Sequence, residues 1–380
     1  MTRARDIANL GNGVDASDLT EGAVEGALTT PTGRRNLIIN GAMQVAQRGT
    51  TGTTNSTSAG YQTVDRFGVQ LLVSTGVYST SIVQDAPSTF DYSHKITVST
   101  ADTSLDADQR TCFYQFIEGY NAQNLKWGTS EARDATLSFW VKGSSTGTYG
   151  LAVLTQNGSG RTRTFTYTID TANTWEYKTI SIPADTVSSD WFQTTSTGIQ
   201  LRWSLGCGSN RTQDTGSWVT TGAKFGATGE KNFVAIQDAT WQITGVQLEV
   251  GTVATPFEHR SYGEELALCQ RYYYKHGQGT GANTSEIGVG FYYNSTTAEV
   301  MVHFPVEMRA TPSYVGTSGT NYFVIFRNNA ADYVNSFSMP RGSTRCAGLE
   351  NSTEASGTAG HGALGRFNSA SAIVAFDAEL

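Results

Sequence analysis

The chain has 380 residues, of which 41 are glycine and 7 are proline, and only 16% are charged. This length allows about two or three domains, and the composition excludes a collagen-like repeat, a long charged helix and a disordered chain. The net charge of -7, without any cluster of basic residues, disfavours nucleic acid and anionic membranes as partners. Aromatic residues make up 11% of the chain, which favours sheets with aromatic cores over helical bundles.

The N-terminal sequence MTRARDIANLGNG has no apolar core of a secretory signal, and no apolar run is long enough to span a bilayer. The four cysteines show neither a CxxC motif nor paired spacing: Cys112, Cys207, Cys269 and Cys346. We therefore expect reduced thiols, synthesis in a reducing cytoplasm, and no metal or other cofactor.

Residues 1–35 are rich in glycine, alanine, threonine and aspartate, and their few apolar residues follow no sustained period. Such a segment cannot bury a core of its own. We predict an extended arm that becomes ordered only against another surface.

Residues 36–260 read as strands and turns. The segment 135–142 alternates between apolar and polar residues, as expected of a half-buried antiparallel strand. Similar segments occur at 68–73, 78–83, 95–98, 151–154, 162–169, 177–182, 198–203, 233–235 and 241–250. Their number and spacing predict an antiparallel β-sandwich.

One helix is predicted after the sandwich, over 261–276. Ser261 and Glu264 have the spacing of a capping box, and Gly277 supplies a stop. Four residues form a heptad-like seam: Tyr262, Leu266, Cys269 and Tyr273. The seam is compatible with packing on its own domain or around a symmetry axis. We favour a helical neck that holds a homotrimer together.

Residues 277–380 are predicted to form a second, C-terminal β domain. Strands are expected at 286–293, 298–304, 322–327 and 371–376, separated by loops rich in glycine, serine and asparagine. The stretch 341–365 consists mainly of small residues, which predicts a loop or a weak strand region. The chain as a whole is expected to be all-β.

No catalytic motif is present. The five histidines are scattered, and no HExxH, GxSxG or phosphate-binding loop occurs. Glycoside cleavage needs two carboxylates in one cleft, for which the candidates are Glu118, Glu258 and Asp185. Calcium would find oxygen ligands at Asp102, Asp106 and Asp108, but this stretch lacks the ligand spacing of an EF-hand. We expect a protein that is not an enzyme.

Tryptophan and tyrosine rings stack on the apolar faces of sugars, so a tryptophan-rich sandwich can bind glycans without a cofactor. Trp140 and Trp203 lie within alternating strands, and we expect both in the core. Three other tryptophans are flanked by small or polar residues and are predicted to reach loops as glycan contacts: Trp127, Trp191 and Trp218.

Several segments together resemble the module shared by bacteriophage tail-fibre and virion adhesin proteins. They are NLIINGAMQVAQRG at 36–49, DRF at 65–67, QFIEGY at 115–120, LSFWVK at 137–142 and GVQLEVGTVATPFEHRSYGEELALCQRYY at 245–273. The stretch FPVEMRATPS at 304–313 resembles part of the distal β domain that follows this module in such proteins. The opening ARDIANLGN at 4–12 is similar to their virion-anchoring start.

The resemblance implies a jelly-roll similar to carbohydrate-binding modules over 36–260, and a homotrimeric virion protein made in the host cytoplasm. Residues 1–35 would dock on a tail or baseplate protein. The C-terminal domain would contact a host glycan or protein receptor, with Tyr292, Tyr293 and Tyr322 as nominal contacts. Two alternatives stay open: a head-decoration or baseplate protein without receptor binding, and a polysaccharide depolymerase.

Overall fold

The computed structural model describes residues 34–55, 58–187, 190–191, 193–283 and 285–380. These residues form 23 strands, one α-helix and two short 3₁₀ helices, so the predicted all-β class is confirmed. Most of the predicted arm, 1–33, lies outside the described residues. None of the described helices has the length and apolar character needed to cross a bilayer.

The sandwich contains the first thirteen strands. In chain order they are β1 (Thr51–Thr54), β2 (Phe67–Leu72), β3 (Val77–Val83), β4 (Ser93–Thr100), β5 (Arg110–Glu118), β6 (Ala135–Gly143), β7 (Gly147–Thr155), β8 (Arg161–Ile169), β9 (Glu176–Ile182), β10 (Thr197–Cys207), β11 (Thr212–Gln213), β12 (Gly226–Ala227) and β13 (Thr240–Val250). Six strands form one antiparallel sheet in the order β1-β3-β4-β13-β6-β9, and five form the other in the order β2-β5-β10-β7-β8. The chain crosses repeatedly between the two sheets, as in a jelly-roll, and the pairs β3-β4 and β7-β8 are hairpins within one sheet.

Period-two alternation builds the core between the sheets. Strand β6 turns Leu137, Phe139 and Val141 inward, against the inner face of the other sheet. An aromatic cluster lies at the centre, where Phe113 contacts Trp203 at 5.8 Å and Trp241 at 5.4 Å between ring centroids. The predicted burial of Trp203 is confirmed.

Two segments of the sandwich differ from the prediction. Strand β5 occupies the second position of the five-stranded sheet, yet it was not among the predicted strands. Its sequence RTCFYQFIE is buried along most of its length on both faces and so shows no alternation. The predicted strand at 233–235 is wrong, because Phe233–Ala235 is a 3₁₀ helix that turns the chain toward β13.

The single α-helix of the described residues, α1, spans Tyr262–Gln270. Its capping box is confirmed: Ser261 Oγ accepts from the Glu264 backbone N–H, and the Glu264 carboxylate accepts from the Ser261 N–H at 3.0 Å. The helix ends at Gln270 and not near Gly277, because the following residues pair as a strand.

The predicted trimer seam is wrong as a continuous helical face. Cys269 is fully buried in a cluster with Ile39 and Val45 of its own chain. Tyr273 is nearly buried and lies in a strand beyond the helix, whereas Tyr262 is exposed and Leu266 is partly buried. The helix therefore packs on its own sandwich, and the homotrimer stays a prediction without this support.

The C-terminal domain contains ten strands: β14 (Tyr273–Gln278), β15 (Ser285–Tyr292), β16 (Ala298–His303), β17 (Ser313–Tyr314), β18 (Phe323–Arg327), β19 (Ala330–Val334), β20 (Ser338–Gly342), β21 (Cys346–Asn351), β22 (Gly362–Phe367) and β23 (Ile373–Asp377). A three-stranded sheet, β14-β23-β17, accompanies a seven-stranded sheet, β19-β18-β22-β15-β16-β21-β20. The stretch predicted as a loop or a weak strand region, 341–365, contains the end of β20, all of β21 and the start of β22.

Small residues in these two strands have a packing reason. A Cβ on Gly365 would lie 2.9 Å from the side chain of Val300, and a Cβ on Gly348 would contact the Glu299 carboxylate. Glycine thus permits close side-chain packing across the sheet, and its presence does not signal a loop here.

The two β domains meet at a polar junction. Arg66 of the sandwich forms an ion pair with Glu379, and Arg48 pairs with Asp377 at 2.9 Å. Arg309 of the C-terminal domain donates to the Ala378 carbonyl at 2.7 Å and to the Thr195 carbonyl of the sandwich at 3.0 Å. These contacts attach the C-terminal domain firmly to the sandwich.

Candidate functional site

An aromatic groove runs over the outer face of the six-stranded sheet. In strand β6 the residues between the inward ones face outward, and Trp140 is among them. In the sheet register Trp140 lies opposite Tyr177 of β9 on one side and Thr244 of β13 on the other. The groove has a volume of about 610 Å³ and is lined by Thr89, Phe90, Ser138, Trp140, Tyr177, Gly245, Ala254, Thr255, Pro256, Phe257 and His259.

The rings in this groove are accessible. Trp140 and Tyr177 lie with ring centroids 5.3 Å apart and planes at 48°; Trp140 is half-buried and Tyr177 is 45% exposed. Beyond Trp140, Phe90 meets Phe257 edge to face at 5.0 Å, and His259 lies 4.9 Å from Phe257. The groove therefore combines an open aromatic pair with a second aromatic cluster.

A glycine forms the floor between these two clusters. Gly245 has a φ of +61° at a β-bulge, where the register between β13 and β6 shifts. A Cβ built there would lie 2.6 Å from the ring of Phe90 and 3.1 Å from that of Trp140. Any larger residue would push into the groove, so its depth depends on this glycine.

A balanced charged cluster lies on the same face. Asp85 accepts from Gln242 Nε2 at 3.0 Å and from Trp175 Nε1 at 3.3 Å, and forms an ion pair with Lys142. Partial burial works to raise the pKa of Asp85, but the hydrogen bonds from Lys142 and Trp175 outweigh it and hold the pKa below its usual range. Lys142 in turn lies over the Trp175 ring at 5.1 Å. Within this pair, the charges of Asp85 and Lys142 offset each other.

The chemistry of the groove is that of non-covalent binding. Its volume falls in the range of ligand pockets, and its aromatic rings offer flat apolar faces. Four hydroxyl-bearing residues lie in its lining: Thr89, Ser138, Tyr177 and Thr255. Within the described ranges, no group of three or more histidine, cysteine or acidic side chains is arranged to hold a metal ion.

The three tryptophans predicted as loop contacts form a packed cluster instead. Trp127 and Trp191 are 4% and 8% exposed, and Trp218 is partly buried against them. Each ring meets the other two edge to face, with centroids 4.8 to 5.4 Å apart. Their flanking polar residues suggested exposure, but the rings turn inward and contribute to the core.

This cluster has no room for a sugar ring. The adjoining cavity, lined in part by Trp127 and Trp191, measures about 10 Å³, which is about the space for one water molecule. The indole N–H groups are also satisfied, since Trp191 donates to Asp185 at 2.9 Å and Trp218 donates to the Pro183 carbonyl at 2.9 Å. The structure gives these tryptophans a role in stability.

The expectation that Trp140 lies in the core is wrong, and the sequence contains the reason. Phe139 and Trp140 are neighbours in one strand, so they must face opposite sides of the sheet. Phe139 continues the inward series of Leu137 and Val141, and this places Trp140 outside. The alternation of β6 alone could have identified the groove residue.

The distal tyrosines are in three different environments. Tyr292 is fully buried; its hydroxyl donates to Asp332, and Arg327 lies 5.0 Å from its ring. Its neighbour Tyr293 is 66% exposed, so the prediction that one of the adjacent pair enters the core is confirmed. Tyr322 is partly buried against Phe323. Of the three nominal contacts, Tyr293 alone presents an open ring.

The carboxylates considered for glycoside cleavage are engaged in structural pairs. Asp185 binds Arg161 at 2.7 Å, and Glu258 accepts from two backbone N–H groups of the segment that enters the sandwich. Burial acts to raise the pKa of Asp185 and of Glu258, but the arginine and N–H partners outweigh it and hold both below their usual range. A general acid for glycosides needs the opposite shift.

Glu118 and Asp102 also have structural partners. Glu118 is buried and pairs with Arg271 at 2.7 Å. Asp102, considered for calcium, is buried and accepts from Ser74 Oγ at 2.7 Å, from Gln109 at 2.8 Å and from the Thr75 N–H. These contacts fix the chain before β3 and before β5.

No protein-family model and no curated protein sequence matches this chain. Solved structures with partial likeness include the enzymatically active domain of tailspike protein 4 of bacteriophage CBA120, with 13% identity and a TM-score of 0.30, over 57% of this chain and 21% of that one. The chain thus matches about a fifth of the tailspike domain's length.

Two further structures are carbohydrate-binding modules. The family 11 module of a cellulosomal cellulase of Clostridium thermocellum is 9% identical with a TM-score of 0.29, covering 54% of this chain and 98% of the module. TmCBM61, solved in complex with β-1,4-galactotriose, is 14% identical with a TM-score of 0.27, covering 57% of this chain and all of that one.

Proposed function

We propose that this chain is a non-catalytic glycan-binding protein, and that the aromatic groove on the six-stranded sheet is its binding site. The observation that carries the proposal is the pair Trp140 and Tyr177, whose accessible rings lie side by side in a groove of about 610 Å³. A sugar ring presents a flat face of C–H bonds that packs on such rings, while its hydroxyl groups meet the hydroxyl side chains of the groove lining.

The charges around the groove favour an uncharged glycan. The nearby Lys142 is paired with Asp85, and Lys178 of β9 is paired with Glu176 and Asp170. An acidic sugar would therefore have to compete with these carboxylates for the two lysines, whereas neutral hydroxyl groups need no charged partner.

The proposed setting is a bacteriophage particle, where the chain serves as a tail-fibre-type adhesin. The resemblance to tail-fibre and virion adhesin proteins supports this setting, and its segment 245–273 includes the groove residues Gly245, Phe257 and His259. In this proposal the chain is a homotrimer on the virion surface, made in the host cytoplasm. Residues 1–35 dock on a tail or baseplate protein, and the partner on the host is a surface glycan or a protein receptor.

Binding to a glycan array, followed by calorimetric titration with the best neutral oligosaccharide, tests the site. We expect Trp140→Ala and Tyr177→Ala each to weaken binding by about tenfold or more, since stacking on one ring contributes on the order of 1–2 kcal/mol. Tyr120→Ala is the matched control, because Tyr120 is equally exposed but lies outside the groove. Equal binding by all three variants would contradict the proposal.

A second candidate surface lies on the C-terminal domain. Tyr293 is exposed beside Val289 and Phe291, which are 68% and 40% exposed on the outer face of β15. This apolar face supports the alternative that host recognition occurs in the distal domain. Adsorption of Tyr293→Ala and Trp140→Ala proteins to host cells distinguishes the two, because only the variant in the receptor-binding surface should lose adsorption.

A further inference from the structure

A β-bulge brings two distant cysteines to the same face of the five-stranded sheet. Strands β5 and β10 pair with Cys112 opposite Ser204 and Arg110 opposite Cys207, and the register shifts between Ser204 and Gly206. Without that extra residue, Cys207 would continue the inward series of Trp203 and Leu205. The bulge instead turns Cys207 outward, beside Cys112.

The two sulfurs are in contact. Their Sγ atoms lie 3.8 Å apart in the reduced protein, and both side chains are buried under Phe225 together with Ala152 and Leu154. The two sulfurs of a disulfide lie about 2 Å apart, so bond formation requires Cys112 and Cys207 to approach each other further. The other two cysteines have no such neighbour, since Cys269 is packed against Ile39 and Tyr272, and Cys346 is near the Ser343 hydroxyl.

A hydroxyl group and a buried carboxylate lie next to the pair. The Ser204 hydroxyl is 3.2 Å from Cys207 Sγ and also hydrogen-bonds the carboxylate of Glu230. Glu230 is held by the Ala227 N–H at 2.8 Å, and its burial raises its pKa to about 7. The hydrogen bond with Cys112, burial and the nearby Glu230 carboxylate raise the pKa of the Cys207 thiol well above its usual range, so this thiol stays protonated while it is covered.

We propose that Cys112 and Cys207 are a disulfide-forming pair that reacts with a low-molecular-weight disulfide such as glutathione disulfide. Once the segment that covers the sulfurs opens and Cys207 loses its proton to water, its thiolate attacks one sulfur of the glutathione disulfide, which forms a mixed disulfide and releases one glutathione thiolate. The Cys112 thiolate then attacks Cys207 Sγ and releases the second glutathione. Two protein thiols are oxidised, one disulfide is reduced to two thiols, and the two protons end on glutathione.

The expected consequence is a covalent link between β5 and β10 when the protein leaves a reducing compartment. Because Phe225 covers both sulfurs, the reaction requires the segment between β11 and β12 to open first, and we expect it to be slow in the folded protein. The cysteine spacing alone gave no sign of this pair, since the two residues meet only through the pairing of β5 with β10.

Equilibration of the full chain with graded ratios of reduced and oxidised glutathione tests the pair. After alkylation in denaturant, we expect two of the four cysteines to remain unalkylated and the intact mass to lie about 2 Da, the mass of two hydrogen atoms, below that of a chain with two alkyl groups and two free thiols. We also expect a cross-linked peptide that contains Cys112 and Cys207. Cys112→Ser and Cys207→Ser should each abolish the cross-link, whereas Cys346→Ser should retain it.

A second sample is refolded from denaturant in the same glutathione buffer, so that both thiols are exposed before the fold forms. Comparison of the two samples shows whether slow access of glutathione to the buried thiols limits the reaction of the native protein. The proposal is overturned if Cys112 and Cys207 are both fully alkylated after both routes, under conditions in which Cys346 forms a mixed disulfide with glutathione. A cross-link that joins any other pair of cysteines would overturn it as well.

Discussion

The hydroxyl of Tyr272 donates a 2.6 Å hydrogen bond to Glu118, which joins the turn after helix α1 to the last residue of strand β5. Arg271 holds the same carboxylate with two further bonds, at 2.7 and 3.0 Å, and the guanidinium of Arg66 lies 3.6 Å from the Tyr272 ring. A buried carboxylate, an arginine and a tyrosine thus fix the connection between the two domains on the sandwich.

Replacement of Tyr272 by phenylalanine should destabilise the protein by about 2 kcal/mol, because a hydrogen bond to a buried charged group is lost while the ring remains for Arg66. Urea denaturation measures the change in the free energy of unfolding. Tyr120→Phe, at an exposed tyrosine, is the control and should have almost no effect. A loss below about 0.5 kcal/mol would show that Arg271 alone satisfies Glu118.

The groove should close when a methyl group is added to its floor. In Gly245→Ala the new Cβ meets the Phe90 ring, so we expect loss of glycan binding and a destabilisation of about 1–3 kcal/mol from the positive φ and the clash. Gly229→Ala is a matched control, since Gly229 has a φ of +79° but open space around its Cβ position. Gly229→Ala should lose stability because of its positive φ, and its glycan affinity, measured by calorimetry, should stay unchanged.

Glu230 should make the protein less stable as the pH rises. Its pKa is raised from 4.5 to about 7, so the folded state binds the proton more tightly than the unfolded state. The stabilising proton is present below pH 4.5 and is lost as the pH rises through 7, which costs about 3 kcal/mol. The difference in unfolding free energy between the parent and Glu230→Gln, measured from pH 4 to 8, should follow this slope. A flat difference would contradict it.

His94 should act in the opposite direction. It is buried, contacts the Thr63 hydroxyl at 3.0 Å and stacks on Phe113, and burial lowers its pKa to about 3. The unfolded state therefore takes up the proton first, and stability is lost as the pH falls from 6.5 toward 3. His94→Gln should reduce this acid sensitivity. Thermal denaturation of both proteins between pH 4 and 7 measures the change, and identical pH profiles would rule His94 out.

The positions of most strands in the sandwich could be located from alternation, but neither their order in the sheets nor the binding groove could. Its rings come from separate parts of the chain, such as Phe90, Trp140 and Phe257, and only the pairing of β13 with β6 brings them together. The flanking residues of Trp127 gave the wrong indication, because small and polar neighbours do not reveal whether a large ring turns inward.

The segments that carry the family resemblance contain buried polar residues that hydrogen-bond to the backbone, and the sequence patterns did not identify them. Asn36 Oδ1 accepts the N–H groups of Ile38 and Leu248, and the amide of Gln115 binds both backbone groups of Ile39. These polar residues are buried without the periodicity of a strand or helix, so composition and alternation cannot distinguish them from surface residues. Their partners lie in other segments of the same resemblance, including 245–273.

The central position of strand β13 has a consequence for how the protein folds. Strands β4 and β6 are not hydrogen-bonded to each other; each pairs with β13, which is synthesised after both. Until the ribosome has synthesised β13, which ends at residue 250, strand β4 of the group β1-β3-β4 and strand β6 of the pair β6-β9 each have an unpaired edge. We therefore expect slow folding dominated by this late insertion, and nascent or truncated chains that lack β13 should aggregate through those two edges.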